Sequence, residues 1–208
     1  MRSRRVAVVD YGSGNVASVV NALRSAGAEP EVLNTAEAVA RADRVVLPGV
    51  GAAGTALDRL WRGGFDGALT AVHRAGHPIL AICIGMQVLA EELEEFGLKR
   101  GLGWIAGRVV KLADDAKSGI RVPHMGWSEV VPANDDSTWF GTDPAKRYFY
   151  FCHSYRLVGK QAAAATAKHG TVFTAALQFD SVLAVQFHPE KSSTNGRNLL
   201  ERFLDWTP

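Results

Sequence analysis

The stretch Pro78-Ile-Leu-Ala-Ile-Cys-Ile-Gly-Met-Gln-Val-Leu-Ala90 decides how this chain folds. Its first five residues, 78–82, form a short apolar run suited to a buried strand. Cys83 follows directly, then Ile84 and Gly85. From Met86 the apolar residues recur at i, i+3 and i+4, as Met86, Leu89 and Ala90, the spacing of a helix face. Cys83 therefore falls on a sharp strand-to-helix turn, with the small residues Ala81 and Gly85 two positions to either side. A tight turn that exposes a nucleophile needs small side chains there, because larger ones collide within it. The arrangement is the cysteine counterpart of the G-x-S-x-G elbow. A helix starting at this point aims free N–H groups and its positive dipole end at the sulfur, which favours thiolate over thiol. The same residues also fit a buried, inert cysteine in an apolar segment.

Upstream, residues 5–10 read as a short Val-rich strand and Tyr11-Gly-Ser-Gly-Asn15 as a turn. Val16, Val19, Val20 and Leu23 mark one face of a helix stopped by Gly27. Gly12-Ser-Gly14-Asn-Val-Ala17 matches the G-x-G-x-x-A pattern of dinucleotide folds. The second strand, 31–33, ends in Asn34 and Thr35, where such a fold wants an acid for the ribose, so nucleotide binding is set aside. Residues 44–47 form a third strand. The loop Pro48-Gly-Val-Gly-Ala-Ala-Gly54 follows, then helical segments to about Ala75, ended by Gly76. Strands alternating with helices imply a parallel sheet covered on both faces. Open sheets of that kind place their sites beyond the carboxyl ends of the strands. The loop 49–51 and Cys83 are thus expected as neighbours, although more than 30 positions apart.

Beyond Gly103 the texture changes. Residues 104–112, 121–131, 147–158, 162–168 and 172–178 read as successive strands, an antiparallel layer added to the parallel core, with 134–146 a polar loop. Residues 182–187 form another buried strand, ending in His188-Pro-Glu190. Leu199, Leu200, Phe203 and Leu204 mark the core face of a closing helix. The fold class is therefore α/β: a mostly parallel central sheet with helices on both faces and an added antiparallel layer. A length of 208 residues suits one well-cored domain, expected over 1–208.

With 47% hydrophobic and 21% charged residues the composition is ordinary for a globular chain. The net charge of +2 is dispersed, with no basic run beyond residues 2–5, so no nucleic-acid partner is expected. The two cysteines, Cys83 and Cys152, suggest neither a disulfide framework nor a zinc site, and a reducing cytoplasm fits them. No metal or other cofactor is called for. The apolar run at 6–9 is too short for a signal peptide. The longest uncharged apolar stretch is the elbow itself, shorter than the roughly 20 residues of a membrane helix, so no membrane is expected.

A thiolate at Cys83 needs a base that takes and returns a proton, and the base needs an orienting partner. Of the six histidines, His73 and His77 belong to a helix and its exit and are expected in solvent. His169 sits in a turn beside Gly170, and His124 and His153 lie in later strands. His188 alone combines a strand end with a carboxylate two residues on. Residues i and i+2 of an extended chain point the same way, so Glu190 can accept from one imidazole nitrogen while the other faces Cys83. A surface His-Pro-Glu turn is the alternative.

Ala81-Ile-Cys-Ile-Gly-Met-Gln87, Pro48-Gly-Val-Gly51 and Gln186-Phe-His-Pro-Glu-Lys-Ser192 resemble, in order and spacing, the motifs of the class I (triad-type) glutamine amidotransferases. Asp10-Tyr-Gly-Ser-Gly-Asn15, Pro123-His-Met-Gly-Trp127 and Phe151-Cys-His-Ser-Tyr155 extend the likeness over nearly the whole chain. They narrow it to the glutaminase subunits of imidazole glycerol phosphate synthase, in histidine biosynthesis. The resemblance implies that Cys83 attacks the side-chain amide of glutamine, that His188 serves the departing ammonia and then water, and that Glu190 holds His188. It assigns the oxyanion to the backbone N–H groups of Ile84 and Val50, with Gly49 and Gly51 giving the loop its peptide orientations. Gly51, Gln87 and Glu95 become substrate contacts, the last two at the amino-acid head, with Ser154 and Tyr155 acting through their backbone. Asn15, Trp127 and Lys191 are then expected to grip a barrel-shaped cyclase in a heterodimer, to which ammonia passes without entering solvent.

The chain departs from that pattern at Ser128, where the family usually has Asn, at Ala53, often aromatic, and at Ala17, usually Arg. None touches the triad; Ser128 and Ala17 fall where the partner would sit. A glutaminase or γ-glutamyl hydrolase of another pathway on the same scaffold is the competing reading. Gly85-Met-Gln87 and the Pro-His-Met-Gly-Trp stretch argue against it. A binding module with a decayed site is the third, and an intact Cys–His–Glu set argues against that.

Overall fold

The computed structural model describes residues 4–113, 120–133, 139–141, 143, 147–159 and 163–208. In chain order the elements are β1 (Arg5–Val9), α1 (Val16–Ser25), β2 (Glu29–Leu33), α2 (Ala36–Val39), β3 (Val45–Leu47), α3 (Ala53–Arg62), α4 (Phe65–Arg74) and β4 (Ile79–Ile82). There follow α5 (Ile84–Gln87), β5 (Ala90–Leu93), β6 (Lys99–Arg100), β7 (Ile105–Lys111), β8 (His124–Glu129), β9 (Val131–Pro132), β10 (Tyr148–His153) and β11 (Tyr155–Gly159). The chain closes with β12 (Ala165–His169), β13 (Thr171–Phe179), β14 (Val182–Val185), a 3-10 turn (Pro189–Lys191) and α6 (Ser193–Asp205).

Strands β2, β1, β3, β4 and β14 lie side by side in that order and run parallel. Their inner members are unbroken apolar runs, Val-Val-Leu in β3, Ile-Leu-Ala-Ile in β4 and Val-Leu-Ala-Val in β14, with every residue buried. That is the pattern of strands covered on both faces. α1 packs against α6, and α2 against α4. Right-handed crossovers put these two pairs on opposite faces once the strand order reverses at β1. The reversal also opens a crevice at the carboxyl ends of β1 and β3, the usual site position in such sheets.

The antiparallel addition takes two forms. β13, β12 and β9 continue the central sheet beyond β14, making it eight-stranded. β10 pairs with β8, and β11, β7, β5 and β6 form a four-stranded sheet. The expected strand 121–131 divides between β8 and β9, in different sheets, and 147–158 divides at Ser154 into β10 and β11.

The helix expected from Met86 does not form. α5 is one turn, and by Ala90 the chain is a strand. The Val88, Leu89 and Ala90 carbonyls accept from the backbone N–H groups of Leu102, Trp104 and Gly103 respectively, which draws them into sheet pairing. Met86, Val88, Leu89 and Ala90 are all buried, so their spacing carried no information about which face was inside. The helix-dipole argument for the sulfur shrinks accordingly to a single turn. Within the expected polar loop, Trp139 and Phe140 are buried, Trp139 against Trp206 and Phe140 against Phe149 and Phe187; most of 134–146 lies outside the described residues.

Candidate active site

Cys83 ends β4 with φ 55° and ψ −106°, a strained backbone for a residue with a side chain. Two hydrogen bonds hold it there: its N–H donates to Val185 O (2.7 Å), and its carbonyl accepts from Gln87 N–H (3.1 Å). The glycine at 85 is a matter of room, since a Cβ there would lie 2.2 Å from Leu47 O. Gly49 answers the same need from the other side: its Cβ would meet Gly85 N and Ile84 Cβ, each at 2.7 Å. The loop after β3 is thus pressed directly onto the turn after β4. Gly51 alone of the loop's two glycines has a positive φ, +86°. From the loop after β1, Tyr11 donates to Pro48 O (2.9 Å) and Ser13 to Val50 O (3.0 Å). Burial pushes the Tyr11 pKa up, which keeps it a donor.

His188 follows β14, the strand beside β4, and borders the same cleft as Cys83. Its Nδ1 donates to Glu190 Oε1 at 2.8 Å, inside a site where both side chains are almost wholly buried. Burial disfavours the imidazolium. Its neighbours Cys83 and Glu190 outweigh that and push the His188 pKa up to about 10. An imidazolium backed by the Glu190 carboxylate is the state this favours. Glu190 keeps Oε2 buried with no partner among the described residues. Ser192, itself buried, fixes the turn: its hydroxyl donates to His188 O (2.6 Å) and accepts from Tyr150 N–H (3.0 Å).

A cleft of about 420 Å³ opens here, lined by Asn15, Val50, Gly51, Cys83, Ile84, Gln87, Glu95, Pro123, Cys152, His153, Ser154, Tyr155, His188 and Lys191. The residues named from sequence for catalysis, the oxyanion and substrate therefore converge. Gln87 donates through Nε2 to Tyr155 O (3.0 Å) and to Gln186 Oε1 (3.0 Å), and its Oε1 is left buried without a partner among the described residues. Gln186 in turn donates from Nε2 to Cys83 Sγ at 3.7 Å. Glu95 Oε2 accepts from Ala53 N–H (2.6 Å), capping α3 directly behind the loop 48–51.

Asn15 caps α1, accepting from Ser18 N–H (3.3 Å), so it has a structural task besides any contact. Trp127 and Lys191 meet over Tyr150, Trp127 edge-on at 6.3 Å and Lys191 Nζ 5.8 Å from the ring centre. Trp127 is 51% and Met125 62% exposed, on the outward side of β8. His73 and His77, expected in solvent, are half-buried, and His73 stacks on Trp104 at 4.7 Å.

Sequence reasoning missed Gln186 and Ser192. Gln186 had a signal, a lone polar residue in an apolar strand run, which demands a buried partner. Ser192 had none beyond its place in the motif.

Residues 7–206 match the family Glutamine amidotransferase class-I. The chain is 42% identical to the imidazole glycerol phosphate synthase subunit HisH of Zymomonas mobilis, over 99% of this chain and 98% of that one. It is 43% identical to the subunit of the same name from Symbiobacterium thermophilum, over 94% and 91%. The chloroplastic hisHF of Arabidopsis thaliana matches at 41% identity over 96% of this chain, which accounts for 34% of that protein. Among solved structures, PurLQS from Thermotoga maritima superposes with a TM-score of 0.74 at 19% identity, covering 99% of each chain. A putative GMP synthase subunit from Thermoplasma acidophilum gives 0.69 at 20% identity, over 99% of this chain and 94% of that one. A strained turn carrying a cysteine that is 2% exposed at the edge of the cleft, a buried His–Glu pair beside it and a family match over almost the whole chain agree, and the chain belongs to the class-I glutamine amidotransferases.

Proposed function

We propose that this protein is the glutaminase subunit of imidazole glycerol phosphate synthase, releasing ammonia from glutamine for a cyclase subunit in histidine biosynthesis. The observation that carries the chemistry is Cys83, strained at a strand end and sharing its cleft with a His188 that Glu190 holds at 2.8 Å. The HisH relatives, at about 42% identity over nearly the whole chain, support the pathway.

The Cys83 thiolate attacks the side-chain amide carbon of glutamine. The tetrahedral oxyanion takes N–H donors from Ile84, at the turn, and Val50, in the loop pressed against it. His188 gives its Nε2 proton to the nitrogen as the C–N bond breaks, and ammonia leaves. Water then attacks the thioester, losing a proton to His188, and glutamate departs as the thiolate is restored. Glu190 keeps the imidazole oriented with Nε2 towards sulfur throughout. Gln87 Oε1 and Glu95 offer acceptors for the substrate's ammonium group, and the Tyr155 and Ser154 backbone borders the same end of the cleft.

The partner docks on the face bearing Trp127, Met125 and Lys191, which adjoins the cleft that Cys152 and Lys191 also line. An exposed aromatic and a methionine beside a cation are the composition of an interface centre. We take the partner to be barrel-shaped. The Arabidopsis relative, in which this chain accounts for 34% of the length, has room for a second enzyme in the same polypeptide. Two free cysteines, one of them the proposed nucleophile, fit a reducing cytoplasm, and no helix among the described residues is long and apolar enough to cross a membrane.

Cys83→Ala tests the assignment. Ammonia release from glutamine should disappear, while synthesis by the complex continues when ammonium salt is supplied, because exogenous ammonia bypasses the thiolate. Retention of more than a few per cent of the glutamine-dependent rate, by comparison with the losses of about 10⁴–10⁶ usual for a nucleophile, sinks it.

A further inference from the structure

His124 and His153 belong neither to the triad nor to the oxyanion site, yet both are buried beside the cleft and His153 lines it. His153 Nδ1 lies 2.8 Å from Tyr155 O, which can only accept, so Nδ1 carries the proton. His153 Nε2 lies 3.0 Å from His124 Nδ1, and His124 Nε2 lies 2.9 Å from Ser128 Oγ. Burial first, then the neighbouring imidazoles (His153 and His169 at His124, His169 and His188 at His153), lower the pKa of His124 to about 3 and of His153, against its bond to Tyr155, to about 4, so both are neutral at pH 7. A neutral His153 with its proton on Nδ1 has a bare Nε2, which must accept from His124 Nδ1–H. His124 Nε2 is then bare in turn and accepts from the Ser128 hydroxyl. Only one direction of donation satisfies every atom, from Ser128 through His124 and His153 to the Tyr155 carbonyl.

The charged and titratable groups around this pair agree with it. His169 stacks on His124 at 4.2 Å, with its own Nε2 2.8 Å from Arg121 O, and His188 acts on His153 from the triad. Each would oppose a further positive charge. Among the described residues no group of three or more histidine, cysteine or acidic side chains is arranged to hold a metal ion, so the cluster is not a metal centre.

The chain ends on an atom that shapes the cleft. Tyr155 O accepts from His153 and also from Gln87 Nε2, which uses both its lone pairs. Leu112 N–H donates to Ser154 O, and Tyr155 stands opposite Lys111. The alternation of an antiparallel ladder then turns the Tyr155 N–H and carbonyl away from β7. With the carbonyl saturated, the Tyr155 N–H and Gln87 Oε1 remain to face a bound amino acid, one as donor and one as acceptor.

We propose that Ser128, His124 and His153 form a one-way hydrogen-bond chain that positions the Tyr155 backbone for the amino-acid head of glutamine. These are positioning residues: none needs to touch the reacting amide. Ser128 stands next to Trp127 in β8, so the chain also joins the proposed docking face to the substrate pocket. The inference rests on the glutaminase reading and deepens it.

Two measurements on the full chain test it. Side-chain ¹⁵N spectra at pH 7 should show both imidazoles neutral and protonated on Nδ1; an Nε2-protonated or doubly protonated ring at either position overturns the chain. Glutamine affinity is read on a Cys83→Ala background, where nothing turns over. Adding Ser128→Ala should raise the glutamine Kd about tenfold, the loss of one well-placed hydrogen bond, and Ser128→Thr should restore it. Merely structural damage would not follow the hydroxyl in this way. Unchanged affinity in Ser128→Ala, or failure of Ser128→Thr to rescue, overturns the inference while leaving the glutaminase reading intact. A Cys83→Ala chain that binds no glutamine at all removes both.

Discussion

At Cys83 the backbone adopts a conformation that costs of order 1–3 kcal/mol in a residue with a side chain. The surroundings over-determine it through the Val185 and Gln87 hydrogen bonds and the approach of Gly49 and Gly85. His188 and Glu190 are fixed as firmly, by Ser192 and by their own 2.8 Å bond. Groups held in one arrangement act as a unit, so their losses should not multiply. His188→Asn should lower glutaminase kcat nearly as far as Cys83→Ala. Glu190→Gln should be milder, since a base remains, and the Cys83/His188 double variant should match either single one. Steady-state kinetics on the four proteins decide it; fully multiplicative losses mean the residues do not act together. Cys83 and His188 stood out in the sequence as reactive types just past a strand, and Glu190 as a carboxylate two residues from His188, although there the chain makes a 3-10 turn instead of the extended strand expected. Gln186 and Ser192 did not, because a buried polar partner is chosen by which strands become neighbours, and β4 meets β14 only in the folded sheet.

Among the elements, the parallel strands were easiest to read, since burial on both faces writes them as unbroken apolar runs. α5 and β5 were misread for the same reason, full burial erasing the period that separates helix from strand. In the proposed mechanism the loop 48–51 is the element on which activity turns. Its Pro48 and Val50 carbonyls are tied to Tyr11 and Ser13, and Gly51 takes the left-handed φ of +86° that a glycine allows. One misdirected oxyanion donor costs about 10²–10³ in rate, so the isolated chain should be a slow glutaminase that its partner accelerates by about that factor. Trp127, half in solvent at the centre of the outward face of β8, is the proposed anchor for this coupling. Trp127→Ala should raise the Kd for the cyclase subunit at least tenfold, as truncation of an aromatic hot spot does. Titration of the partner against ammonia release measures both quantities. A chain already at full rate alone, or a Kd untouched by Trp127→Ala, sinks this account of the loop and face.

On the scale of the molecule, alternation of strands and helices announced the parallel core, and periodicity gave no hint that β13, β12 and β9 would extend it while β8 and β10 stood apart. That choice buries His124, stacked on Phe151, and His153, tilted against it, both near Phe173, and so writes a pH dependence into the whole fold. Their folded pKa values, about 3 and about 4, lie below the ordinary value of 6.5. The unfolded chain therefore takes up protons below pH 6.5 that the folded chain refuses, and the stability they contribute, present above 6.5, is lost as pH falls towards 4. His188 has the opposite sign: raised to about 10, its contribution is complete below 6.5 and is lost as pH rises through about 10. Ordinary carboxylates titrate near 4, so a fall in stability between about pH 6.5 and 5 reports histidine rather than acid. Urea unfolding at pH 7, 6 and 5 should show the midpoint dropping over that window. His124→Phe, which keeps the aromatic stack on Phe151 and cannot take a proton, should start from a lower midpoint at pH 7, having lost two hydrogen bonds, and then fall less steeply. A wild-type midpoint that stays flat to pH 5, or an identical slope in the variant, means that the pair is not neutral in the folded protein.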